Sequence, residues 1–326
     1  AFEGEPGVDA GGVTREWYQV LATEMFNPAY GLFESSQEGS TYQPNEKSGV
    51  NPAHLNYFTF VGVVLGKALC DGQALPVYFT RALYKHMLGE RVTLEDLKAY
   101  DPTLYASLVC VLNTAVEELG LEYQNFTTAV DEFGAHKIVP LVDGGEDILL
   151  TDENKAEYVR LLVEFKLTTG IADQLKAFLG GVHKLVDPEL LAVFTPKELE
   201  LLIAGLPTID INDLRANTEY GTGYKPSSPQ IVWFWEVVSA FDQEQLAKLV
   251  QFVTGSSRVP VAGFSALQGM RGIQRFQIQA TKRKDALPTS HSCYNMLDLP
   301  KYGSKEELER KLLLAIGEGY VGFGFA

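Results

Sequence analysis

The strongest nucleophiles in this sequence are its three cysteines, at positions 70, 110 and 293. A thiol attacks as its thiolate, so a reactive cysteine needs some exposure and polar neighbours. Cys293 lies in the run Leu287-Pro288-Thr289-Ser290-His291-Ser292-Cys293-Tyr294-Asn295-Met296-Leu297-Asp298-Leu299-Pro300. Hydroxyls, an imidazole and an amide crowd it between two prolines. A free cysteine is more often a small buried apolar residue. Cys70, after Val64-Leu65-Gly66-Lys67-Ala68-Leu69, and Cys110, between Val109 and Val111, fit that description; Cys293 does not. A thiol of ordinary acidity is ionised to a few per cent near neutral pH, which can suffice for a nucleophile. His291 would share a face with Cys293 only in extended chain. A protease-type dyad also needs a group that orients the imidazole. A positioning or hydrogen-bonding role for His291 is the better reading. His54, His86, His136 and His183 are scattered, and no Cys-x-x-Cys pair exists, so neither a metal nor a disulfide framework is expected. Gly317, Gly319, Gly322 and Gly324 follow a helical pattern, not the strand–glycines–helix order of a phosphate loop. No cofactor is expected.

The elements that must position Cys293 come from a chain of 326 residues, 46% of them hydrophobic. That length suggests two domains. No apolar run is long enough to span a membrane. The acidic opening residues form no secretory signal and read as a boundary inside a longer chain. Sparse cysteines suggest a reducing compartment, cytosol or nucleus. The net charge of −15 is uneven. Residues 219–326 hold 12 basic and 10 acidic side chains, whereas residues 101–167 hold 4 basic and 13 acidic. A nucleic-acid binder would show the opposite sign. The acidic stretch reads as a solubilising surface, or as a docking face for a basic protein.

Helical periodicity covers His54 to Cys70 and Pro76 to Leu88, and a shorter helix covers Pro102 to Leu112. β-formers broken by glycines between 122 and 150 predict hairpins. A long helix is expected from Thr151 or Asp152 towards Leu179, kinked or divided near Gly170 and stopped by Gly180-Gly181. Thr195-Pro196-Lys197-Glu198 is a capping box. The polar residues 208–229 read as a linker. Beyond them lies a compact α/β unit. Ile231, Phe234, Trp235 and Val238 make a helical stripe, Asp242 caps the next helix, and Phe276, Ile278 and Ala280 alternate as a strand.

The segment 287–300 resembles the active-site segment of HECT ubiquitin ligases, Leu-Pro-x-(Ser/Ala)-His-Thr-Cys-Phe-Asn-x-Leu-Asp-Leu-Pro. Residues 9–17, 26–33, 231–235 and 251–255 resemble other blocks of that family, in order along the chain. Residues 205–210 and the Gly-Phe-Gly-Phe-Ala ending look most like the very large HECT ligases. The resemblance implies an α+β bilobed fold. Residues 1–211 would form a mostly helical N-lobe, with an α/β subdomain at about 101–167 that docks a ubiquitin-conjugating enzyme. Residues 212–220 would form a hinge and 221–326 a C-lobe. Cys293 would carry ubiquitin as a thioester and pass it to substrate lysines, with His291 and Ser292 beside it. Phe323, fourth from the end, would serve that second transfer. Leu104, Ser107, Leu108, Leu119, Tyr158 and Leu162 match positions that touch the conjugating enzyme. Ser292 stands for the commoner Thr, Tyr294 for the commoner Phe, and Leu162 for an aromatic found in some members. Cys70 replaces an aromatic that some relatives use for a second ubiquitin, so that site is not expected. The expected partners are ubiquitin, the conjugating enzyme and protein substrates, with no nucleic acid and no membrane. The alternatives are a cysteine hydrolase acting on ubiquitin-like conjugates and a non-catalytic acidic docking scaffold.

Overall fold

A computed structural model describes residues 12–36, 41–132, 135–269, 272–281, 283 and 285–318. The chain divides into two compact units. One holds residues 24–71 and 77–200; the other holds the residues up to 23, the short run 72–76, and the chain from 201 on. Residues 201–211, expected in the first lobe, thus pack with the second. The fold is α+β.

The first unit is built on two helices, His54–Cys70 and Ala172–Val182. They touch at bare backbone. A Cβ on Gly62 would lie 2.0 Å from the Phe178 carbonyl oxygen, and one on Gly181 would lie 2.2 Å from that of Thr59. The helix ends at Val182, one residue past Gly180-Gly181 and close to the stop that the sequence suggests; Gly181 also lets a second helix come close. Around this seam Phe26, Phe33, Phe58, Phe79 and Phe178 pack as a cluster of tilted and edge-on rings. The helix expected from Pro76 starts only at Arg81. Before it, Tyr42 N–H donates to Tyr78 O and Thr80 N–H to Tyr42 O. The β-formers Val77-Tyr78-Phe79 thus extend beside strand Tyr42–Pro44, and the Thr80 hydroxyl caps helix Arg81–Met87 by accepting from Leu83 N–H. The long helix expected from 151 to 179 is divided. Lys155–Leu167 ends, a 3-10 turn at Thr169–Ile171 contains Gly170, and the chain restarts at Ala172.

Residues 101–167 of this unit hold helix Pro102–Asn113, capped by Asp101, and a hairpin of Thr127–Glu132 with Ala135–Pro140. Their core joins Leu108, Val111, Phe126, Tyr158, Leu162 and Leu167.

The second unit centres on a four-stranded sheet. Its strands, in spatial order, are Thr218–Tyr220, Phe276–Thr281, Met296–Pro300 and Thr289–His291; the first three run parallel and the last antiparallel. Strand alternation sends Phe276, Ile278, Leu297 and Leu299 inward, all 0% exposed. They meet helices Pro229–Val238, Gln243–Thr254 and Lys305–Glu318. The capping box at Thr195/Glu198 forms and Asp242 caps its helix as expected; Gln245 completes a capping box there.

The run 208–229 is not the irregular linker that its composition suggests. Residues 211–216 form a helix and Thr218–Tyr220 is a strand of the sheet. Its polar side chains are spent locally. Asp210 caps the helix by accepting from Asn212 and Asp213 N–H, and Asn217 donates to Asp213. Asp213 in turn accepts from Phe264 N–H at 2.9 Å. Short polar residues mark caps as often as loops.

Candidate active site

Strand Thr289–His291 turns back into Met296–Pro300, and the reversal is a 3-10 turn, Ser292–Tyr294, with Cys293 at its middle. Asn295 closes the turn in a left-handed conformation, φ 49° and ψ 41°. Asparagine tolerates that region better than most residues. Its side chain is 0% exposed and fully used. The amide donates to Gln268 O at 2.9 Å and to Gln274 O at 2.6 Å, while Oδ1 accepts from Arg15 Nη1 at 3.1 Å. Asn295 N–H donates to Ser292 O at 3.3 Å, and Gln277 N–H donates to Asn295 O at 2.8 Å. The Arg15 guanidinium also donates to Ser292 O and Gln268 O. Arg15 comes from helix Gly12–Met25 and is itself buried.

The approach to the turn is anchored too. Tyr302 donates its hydroxyl to Ala286 O at 2.7 Å, and Lys311 Nζ donates to Asp285 O at 2.7 Å. Tyr224 donates to Leu299 O and Pro300 O on the strand that leaves the turn. Burial pushes the Tyr224 phenol up to about 12, so it stays a donor at physiological pH.

His291 lies opposite Met296 in the ladder, on the outer face of the sheet. Asp298 shares that face, and its Oδ2 lies 3.2 Å from His291 Nε2. Asp298 Oδ1 accepts from Gln279 at 2.7 Å. The imidazole thus has an orienting carboxylate, which sequence reasoning did not supply. The signal was present: a strand period of two carries Asp298 to the face of His291 once the turn is placed at 292–295. His291 and Tyr294 are exposed, while Ser292 and Cys293 are half-buried. The expected residues Cys293, His291 and Ser292 are therefore brought together on one turn. Phe323 lies outside the described residues.

Exposure does not single out Cys293. Cys70 and Cys110, expected to be buried, are both exposed. Apolar neighbours at i±1 do not bury a helical position, because they point to other sides of the helix. Cys70 ends its helix with Sγ 3.7 Å from Leu185 O, and Cys110 lies 3.8 Å from the Thr114 hydroxyl. Cys293 differs in its frame, a single 3-10 turn between two strands, held at Ser292 and Asn295 by hydrogen bonds from the buried Arg15. Among the described residues no group of three or more His, Cys, Asp or Glu side chains could hold a metal ion.

The six expected docking positions divide. Ser107 is exposed, and Leu104 and Leu119 are partly buried at the edge of the subdomain core. Leu108, Tyr158 and Leu162 lie in that core, 3%, 9% and 6% exposed. Tyr158 is not the exposed aromatic that the resemblance suggests. Its ring meets Phe126 edge-on at 5.5 Å, and burial raises its phenol. Tyr158→Ala should therefore destabilise the unit by about 3–5 kcal/mol. A melting temperature within about 2 °C of wild type would contradict that packing.

A half-buried thiol on a hydrogen-bonded hairpin turn, beside an imidazole oriented by a carboxylate, is the arrangement that cysteine-nucleophile chemistry would need. The chain belongs to the HECT-domain (ubiquitin-transferase) family, whose pattern matches residues 19–326. It is 51% identical over its whole length to the E3 ubiquitin-protein ligase TOM1-like of Neurospora crassa. The identity is 50% with the E3 ubiquitin-protein ligase HUWE1 of Mus musculus and 48% with the E3 ubiquitin-protein ligase HACE1 of Xenopus laevis. The chain spans 8%, 7% and 34% of those three proteins, as the expected likeness to very large members requires for the first two. No helix among the described residues is long and apolar enough to cross a membrane.

Proposed function

We propose that this domain accepts ubiquitin from a conjugating enzyme onto Cys293 and transfers it to substrate lysines. The observation that carries the reading is the Cys293 turn, which holds a thiol rigidly at the surface of a HECT-family domain. In the first step the Cys293 thiolate attacks the thioester carbonyl of the carrier. The tetrahedral adduct collapses, the new C–S bond remains, and the carrier leaves as its thiolate. In the second step a neutral lysine amine attacks the Cys293 thioester, an amide forms, and the Cys293 thiolate leaves; the amine's proton passes to a base. The two thioesters are nearly equal in energy, so the domain supplies proximity more than driving force.

In this proposal residues 101–167 dock the carrier, with Leu104, Ser107 and Leu119 nearest the surface. Leu108, Tyr158 and Leu162 support them from the core. Phe323 serves the second transfer, and His291 and Ser292 position the turn. The protein works in the cytosol or nucleus. Neither a hydrolase nor a scaffold draws support from the family or from these relatives. Incubation with ubiquitin, activating and conjugating enzymes and ATP tests the reading. A ubiquitin adduct on this chain that reductant removes supports it. Cleavage of ubiquitin chains, or binding without an adduct, would reject it.

A further inference from the structure

Arg15 belongs to the first described helix, yet its guanidinium ends under the Cys293 turn. It spans the two residues that bracket the reactive segment, donating to the Ser292 carbonyl on one side and to the Asn295 side chain on the other, at 3.1 Å. A third donation reaches Gln268 O, which also accepts from Asn295. Gln268 lies beside Gly269, where a Cβ would stand 3.2 Å from Cys293 O. Guanidinium, amide and three backbone carbonyls form one partly buried network, and the 3-10 turn rests on it. Without Arg15, the turn's own bond to Ser292 O is the single 3.3 Å contact from Asn295 N–H. Lysine cannot reproduce the arrangement, because only the planar fork of arginine presents several donors in fixed directions.

We propose that Arg15 is a positioning residue for Cys293, holding the thiol-bearing turn in the geometry that acyl transfer needs. Arg15 touches no reacting atom. It acts through Ser292 and Asn295, and the inference rests on the reading of Cys293 as the ubiquitin acceptor. Misplacing a reacting group by about 1 Å is enough to slow a transfer by one to two orders of magnitude.

The test compares the whole chain with Arg15→Ala and Arg15→Lys, using a ubiquitin-charged conjugating enzyme under single-turnover conditions. Arg15→Ala should lower the saturating rate of transfer to Cys293 about tenfold or more, with the carrier concentration at half-maximal rate changed less than about twofold. Arg15→Lys should fall between Arg15→Ala and wild type. Hydrogen exchange should quicken at the amides of residues 292–296 and stay unchanged in strand Phe276–Thr281. A purely scaffolding role for Arg15 would instead raise exchange throughout the unit. A folded Arg15→Ala with the wild-type rate, a defect confined to carrier affinity, or exchange raised uniformly would each overturn the proposal. If Arg15→Ala does not fold, Arg15→Lys decides: a slowed saturating rate supports the proposal and a wild-type rate overturns it. A wild-type chain that takes no ubiquitin sinks the ligase reading, and positioning for transfer with it; the exchange data then still show separately whether Arg15 holds the turn.

Discussion

Cys293→Ala should abolish the reducible ubiquitin adduct entirely, while Cys70→Ala and Cys110→Ala should leave it intact. The three thiols are all reachable by solvent, so accessibility does not make the distinction. Cys70 and Cys110 ride on helices, where the backbone carries no adaptation to a thioester. Cys293 sits on a turn whose ends, Ser292 and Asn295, are hydrogen-bonded to the buried Arg15, so the backbone that carries its Sγ is held as the bulky thioester approaches. Alanine removes the only atom that can form the bond, and no neighbour replaces it. The hydroxyl of Cys293→Ser should accept ubiquitin more slowly and yield an ester that resists thiols and is cleaved by alkali. Non-reducing electrophoresis of each variant after incubation with charged carrier reads the outcome. A normal adduct in Cys293→Ala, or its loss in Cys70→Ala, would place the nucleophile elsewhere.

The second large effect is structural. Gly62→Val should unfold or severely weaken the first unit, at a cost of about 3 kcal/mol or more. The obstacle is backbone: the added Cβ would stand 2.0 Å from Phe178 O and 2.9 Å from Val182 N. No rotamer change relieves that, so the two helices must part and Phe58, Val61 and Phe178 lose their packing. Gly180→Ala is the matched control. Gly180 neighbours Gly181 in sequence but faces solvent, with nothing within 4 Å of its added Cβ. In a helix that change should be stabilising by about 0.5–1 kcal/mol. Thermal melts should therefore move in opposite directions for two glycine substitutions on facing helices. A Gly62→Val melt close to wild type would mean that the helices are not seated on each other.

These glycines show where sequence reasoning reaches its edge. The stripe Phe58, Val61 and Leu65 made the helix His54–Cys70 legible, because a period of 3.6 is local. Glycines at 180 and 181 read as a stop, and the helix does end at Val182; the second use of Gly181, close approach to helix His54–Cys70, was hidden because that helix lies over a hundred residues earlier. Polar residues 208–229 read as a linker, because Asp210, Asp213 and Asn217 look the same whether they cap a helix or meet water. The Cys293 segment stood out in sequence by the crowding of polar types around it. The carboxylate behind His291 needed only the strand register to be found. Arg15 was beyond reach: two of its three acceptors are backbone carbonyls, which carry no residue signature, and all lie over 250 positions away.

That separation also sets the order in which the domain matures. Arg15 and Asn295 are 280 residues apart, and closing a flexible loop of that length costs about 5 kcal/mol in chain entropy. The contact can therefore form only after the intervening elements have folded and shortened the effective loop. During synthesis the first unit is complete well before strand Met296–Pro300 emerges, and helix Lys305–Glu318 comes later still. Strand Met296–Pro300 is flanked on both sides in the sheet, so until it inserts there is no ladder for Thr289–His291 to join and no hairpin to carry the thiol. A nascent chain can thus display its acidic subdomain long before it holds a set nucleophile. On the proposed reading, competence for acyl transfer arrives nearly last, when Arg15 meets the turn at Ser292 and Asn295.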